Sequence, residues 1–144
     1  MQNIVINSCY GGFGLSPAAV VEFAKRKGFK IYPFIEKRKP DGSLDTDHFE
    51  DYKFGKYKEE RYLTIHYSKK PLTKDGKYVE DFYFHYGDIP RNDPDLVAVV
   101  KKLKKKANGM CAELKIVKIP DNVNWEIDEY DGLEHVQEKC EKWC

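Results

Sequence analysis

Asn3-Ile4-Val5-Ile6-Asn7-Ser8-Cys9-Tyr10-Gly11-Gly12-Phe13-Gly14-Leu15-Ser16-Pro17 joins an apolar run to a helix start through three glycines. Val5, Asn7 and Cys9 alternate with Ile4, Ile6 and Ser8, the period of two expected of a buried strand that turns polar at its end. The glycines permit positive φ and a close approach of backbone to whatever lies over them. Ser16 can accept from an early helix N–H, and Pro17 loses nothing at the first helical position, where its missing donor has no partner. Val20, Phe23 and Ala24 then mark the inner face of a helix ending at Lys27-Gly28, and residues 29–35 read as a second strand. The chain is thus expected to open with a strand, glycine loop, helix, strand unit.

Beyond this unit, residues 37–60 are polar and turn-rich around Pro40-Asp41-Gly42 and are expected to form a long surface loop or insert. Leu63, Ile65 and Tyr67 alternate with Thr64 and His66, so residues 62–68 read as a strand. Asp75-Gly76 signals a turn, and residues 79–86 read as its partner, with Phe82, Phe84 and Tyr86 on one face and Tyr83 and His85 on the other. Asp93-Pro94 repeats the cap-then-proline signal, and Leu96, Val99, Val100 and Leu103 continue at helical spacing until Asn108-Gly109. Residues 114–119 and 123–127 read as strands. Asp131 with Glu134 resembles a capping box, so Leu133, Val136, Cys140 and Trp143 predict a short terminal helix. The fold class expected is α+β. A single domain over 1–144 would hold a mixed or antiparallel sheet of about six strands with about three helices.

The composition narrows the partners. A core in a chain of 144 residues, 41% of them hydrophobic, can bury roughly 68–70% of the unfolded surface without help from metal or disulfides. Cys9, Cys111, Cys140 and Cys144 contain no Cys-x-x-Cys pair, so free thiols are expected, and no metal or other cofactor. With 25 basic and 24 acidic side chains the formal charge is +1, which offers no global field to draw nucleic acid or a membrane surface. The charge is uneven nonetheless, basic before residue 40 and along Lys101, Lys102, Lys104, Lys105 and Lys106, and acidic after residue 120. This polarity points to subunit pairing in a homo-oligomer. No apolar stretch approaches the ~20 residues of a membrane span, and a basic leader with an apolar segment is lacking, so a cytoplasmic protein is expected.

Four constellations could carry chemistry. The loop Tyr10-Gly11-Gly12-Phe13-Gly14, set between strand and helix, could offer backbone N–H groups to an anion such as phosphate, with Asn7 and Ser16 flanking it. It matches neither the dinucleotide fingerprint nor a Walker loop. Arg91 presents a planar fork for phosphate or carboxylate, and Asn92 a donor and an acceptor for a base edge. His66 and His85, each near the end of an aromatic strand, could act as acid and base on a phosphodiester. Glu126 and Asp128 lie two apart on a strand, on one face, where paired carboxylates could do acid–base work.

Three segments together resemble a family of small, uncharacterised bacteriophage-encoded proteins. They are Asn7-Ser8-Cys9-Tyr10-Gly11-Gly12-Phe13-Gly14-Leu15-Ser16, Arg91-Asn92-Asp93-Pro94-Asp95-Leu96-Val97, and Ile119-Pro120-Asp121 with Trp125-Glu126-Ile127-Asp128-Glu129-Tyr130-Asp131-Gly132. The resemblance covers both ends and the centre, leaves 37–80 as the varying stretch, and carries no residue role with it. It implies a setting, the host cell cytoplasm, in which small accessory proteins act on host machinery, some as sponges for immune signalling nucleotides. The expectation is a protein that sequesters a nucleotide-like anionic small molecule through Asn7, Tyr10, Gly11, Gly12, Phe13, Gly14, Ser16, Arg91 and Asn92, binding without turnover. The alternatives are an enzyme cleaving a nucleotide phosphodiester or glycosidic bond through His66, His85, Glu126 or Asp128, and an inhibitor of a host protein acting by direct contact.

Overall fold

The computed structural model describes residues 1–41, 43–56 and 64–139. They fall into two units, residues 1–19 with 86 onward, and residues 20–85.

In the first unit, β1 (Gln2–Asn7) is covered on both faces, with Ile4, Val5, Ile6 and Asn7 all buried. It pairs antiparallel with β5 (Leu114–Ile119), from Gln2 opposite Ile119 to Asn7 opposite Leu114. Helix α2 (Pro94–Leu103) packs on this pair with Leu96, Val97, Val99 and Val100 buried. Asp93 caps it by accepting from the N–H groups of Asp95 (2.8 Å) and Leu96 (3.3 Å), with Pro94 at the first position as expected. The expected helix to Asn108 stops earlier. Lys104 takes a positive φ of 54°, and a 3-10 turn over Lys104–Ala107 succeeds it.

The largest correction is at the C-terminal end. Instead of a terminal helix, β6 (Trp125–Tyr130) and β7 (Leu133–Glu138) form an antiparallel hairpin with Asp131-Gly132 at its tip. Asp131 at φ 51° and Gly132 at φ 88° make a two-residue turn with both central residues left-handed, which matches strand twist and cannot start a right-handed helix. Cys140 and Trp143, assigned to that helix, lie outside the described residues.

In the second unit, β2 (Tyr32–Arg38) is the central strand, flanked antiparallel by β3 (Leu44–Asp51) and β4 (Ile65–Ser68). The strand β3 occupies the stretch expected as surface loop. Helix α1 (Pro17–Lys27) begins in the first unit, and from Val20 onward belongs to the second, where Phe23 and Ala24 are buried. Residues 79–86 do not form the expected strand. Asp81 turns the backbone through φ 67°, and the segment after it makes one bridge, Ser68 to Tyr83, flanked by bonds between Lys69 N and Phe82 O and between Phe84 N and Tyr67 O. The Asp75-Gly76 turn forms, but the Gly76 carbonyl accepts from Phe49 N–H beside β3 (2.7 Å), so this turn is tied to β3.

The class is therefore α+β, with two α-helices and seven strands among the described residues. The strands divide among three antiparallel sheets, β1-β5, β3-β2-β4 and β6-β7, where one sheet was expected. β1 and β2, expected in one unit, belong to different sheets.

Candidate functional site

The glycine loop and Arg91 do meet in the first unit, and an anion is bound there. It is the carboxylate of Glu134. Arg91 donates from Nη1 to Glu134 Oε1 (2.7 Å) and from Nη2 to Oε2 (2.9 Å), and its guanidinium lies 3.4 Å from the centre of the Phe13 ring. The backbone N–H of Asn7 donates to the same Oε1 (2.8 Å), and Arg91 Nη1 also reaches Val5 O (3.2 Å). With Glu134 6% exposed, this is a two-point ion pair inside the unit.

Asn7 is fully buried and committed too. Its Nδ2 donates to Cys9 O and Gly132 O, both at 2.7 Å, while Oδ1 accepts from Glu113 N–H (2.8 Å) and the Cys9 thiol (3.2 Å). Gly11 and Gly132 serve close packing of backbone on backbone, whereas Gly12 supplies a φ of 102°. A Cβ at Gly11 would lie 1.7 Å from Cys111 O, and one on Gly132 would lie 2.5 Å from Gly12 N. Ser16 caps α1 through Ala19 N–H and donates to Lys106 O. Of the residues expected to bind a ligand here, Tyr10 and Asn92 have exposed side chains; Asn7, Phe13, Ser16 and Arg91 are engaged within the unit.

The second unit holds an open cleft of about 560 Å³. Its walls carry the rings of Tyr32, Phe49, Tyr52 and Phe54, and its rim carries Lys37 and Lys74 together with Glu50, Asp51 and Asp75. Phe54 is 53% exposed and is held edge-on against buried Tyr52 at 5.1 Å. No motif in the chain marks this cleft. Tyr32 and Phe49 come from strands that only the sheet brings together.

In the same unit His66 is stacked on Phe34 (5.6 Å, 20°) and met edge-on by Phe49. Its Nδ1 and the Tyr83 hydroxyl are hydrogen-bonded at 2.9 Å. Its Nε2 is buried without a hydrogen-bond partner among the described residues and lies 3.9 Å from Glu36 Oε1. Burial holds the His66 pKa below the usual histidine value, with Glu36 opposing. Burial also raises the Tyr83 pKa, and Tyr78 and Glu36 add to that. Glu36 and Tyr83 were not among the expected site residues; their spacing of 47 and their distances from His66 carry no motif.

His85 is exposed in this unit, whereas Glu126 and Asp128 belong to the other. Both carboxylates are exposed on β6, as the alternation predicted, and Glu126 accepts from Gln137 Nε2 (2.8 Å). Among the described residues no cluster of three or more His, Cys, Asp or Glu is placed to hold a metal, and no helix is long and apolar enough to cross a membrane. Comparison of the chain with family models, curated proteins and solved structures gave no match.

Proposed function

We propose that the protein binds a nucleotide-like anionic small molecule in the aromatic cleft of residues 20–85, and that it acts by sequestration, as an accessory protein of a bacteriophage in the host cytoplasm. The observation that carries this reading is the cleft itself, with Phe54 half-exposed beside Tyr52, and Lys37 and Lys74 on the rim. A base stacked on an aromatic face gains about 1–3 kcal/mol, and a lysine supplies a point charge to a phosphate. Glu50, Asp51 and Asp75 can accept from ribose hydroxyls or an exocyclic amine. The glycine loop has no place in this reading, because Arg91, its expected counter-charge, is already paired with Glu134.

Thermal-shift screening against mononucleotides, cyclic nucleotides and cyclic dinucleotides tests the proposal. A ligand at 100 times its Kd stabilises by about 2.7 kcal/mol. If no anionic nucleotide raises the melting temperature at millimolar excess, the proposal is lost.

One observation favours a second reading, cleavage of a molecule held beside His66 and Tyr83, which do not themselves line the aromatic cleft. With His66 Nδ1 accepting from the Tyr83 hydroxyl, the lowered His66 pKa and the raised Tyr83 pKa keep the proton on the tyrosine, which is then a neutral proton donor for a leaving group. Recovering the ligand after heat denaturation separates the two. Intact ligand supports sequestration, and product formation lost in Tyr83→Phe supports cleavage.

A further inference from the structure

Among the described residues of the first unit, β5 and β6 each present an edge without a ladder partner. Ser8 N–H donates to Glu113 O in the β1-β5 ladder, whereas Val5 N–H is turned away to Arg91 O. By alternation, the backbone groups of Leu114, Ile116 and Lys118 point away from β1. Leu114 N–H is taken by Asn108 Oδ1 (3.0 Å), and those of Ile116 and Lys118 have no backbone partner among the described residues. In the hairpin, Lys139 N–H donates to Asn124 O, so the backbone groups of Trp125, Ile127 and Glu129 point away from β7, again without a backbone partner among the described residues.

Beside the open edge of β5 runs a groove of about 560 Å³, floored by Val100, Leu114 and Ile116 and bordered by Lys104 and Lys105. Lys115 and Lys118 are exposed on β5, and Glu126, Asp128 and Glu129 on β6. Lys104, Lys105, Lys115 and Lys118 outnumber the one acid of the groove, Glu113, so edge and groove are basic on balance; the strand is acidic, with half-buried Ile127 between its acids and Trp125 before them. An exposed edge of this kind accepts a further strand, and charge decides which.

We propose that the protein self-associates by antiparallel addition of β6 of one copy to the open edge of β5 of another. With Ile127 opposite Ile116, the outward backbone groups of 116 and 118 meet those of 127 and 125, and the Leu114 carbonyl meets Glu129 N–H, the Leu114 N–H staying with Asn108. Ile127 then lies on the Val100 and Ile116 side, Asp128 stands opposite Lys115, and Glu129 comes next to Lys104 and Lys105. Pairing of β6 with a second β6 would set acid against acid, and pairing of β5 with β5 would set lysine against lysine, so the contact joins unlike edges.

Light scattering after size exclusion, from about 1 µM to about 1 mM, a range that includes moderate self-association affinities, tests the proposal on the whole chain. The mass is expected to rise with concentration and to fall back in 1 M salt, where the screening length is about 3 Å. Lys115→Glu and Asp128→Lys each place like charges opposite and should weaken assembly about tenfold. An equimolar mixture of the two variants should assemble as the wild type does, because every contact between unlike copies is again of opposite sign. Both positions are exposed, and circular dichroism confirms that each variant is folded. A wild type that stays monomeric throughout overturns the proposal, as does assembly indifferent to both reversals or a mixture that fails to recover.

Discussion

Arg91 shows how a residue's chemistry can be read from the chain while its partner cannot. Its fork matches a carboxylate or a phosphate, and the carboxylate it finds is Glu134, 43 positions away on a strand expected as helix. Removing one member of a buried pair leaves the other charge unpaired, which costs about 3–5 kcal/mol. Glu134→Ala should therefore lower the free energy of unfolding by about that amount in urea titration, while a ligand site at Arg91 would instead leave stability unchanged and alter binding. His66 gives a second test. Its folded pKa lies below the unfolded value of 6.5, so near pH 6 the unfolded chain binds more protons than the folded one. The stability it contributes is complete above pH 6.5 and declines as the pH falls through that value, levelling once the folded imidazole also protonates. Melting temperatures between pH 7.5 and 5 should show this decline, and His66→Asn should flatten it.

Among elements, those governed by local rules were legible. The strand at 2–7, the helix after Ser16-Pro17 and the helix after Asp93-Pro94 all form where their caps and periods place them. Asp93→Ala should cost about 1 kcal/mol by thermal denaturation, since two helix N–H groups lose their acceptor. In the hairpin at 125–138 two local signals overlap. Asp131 with Glu134 three residues on suits a helix cap, and Asp131-Gly132 between Ile127 and Val136 suits a hairpin turn. Packing decides between them: Asn7 Nδ2 holds Gly132 O, and Glu134 must point at Arg91. Gly132→Ala strains φ 88° and drives a methyl against Gly12 N. It should destabilise by more than about 1 kcal/mol in the same melt, whereas Asp131→Asn, tolerant of the left-handed region, should be nearly neutral.

For the whole molecule, the proposed ligand site depends on β2 and β3, consecutive strands whose pairing is concealed in the sequence by the polar composition of residues 37–51. Tyr32 lies on β2 and Phe49 on β3, and Tyr52 and Phe54 come where the chain leaves β3. Phe54 is half in solvent, so Phe54→Ala should leave the melting temperature within a few degrees of wild type while lowering nucleotide affinity by roughly 5- to 150-fold in calorimetry, the loss of one stacking contact. The amino-acid sequence by itself determined the α+β class, both helix starts, the buried first strand, the turn at Asp75-Gly76 and the unequal spread of charge. Each of these rests on period, capping or turn chemistry within a few residues. Tertiary structure alone decided that β1 pairs with β5 and β2 with β4, that the anion paired with Arg91 is Glu134, and that aromatic rings gather into a cleft. Those outcomes are set by burial of apolar surface and pairing of charge between residues far apart in the chain, where no local energy distinguishes one partner from another.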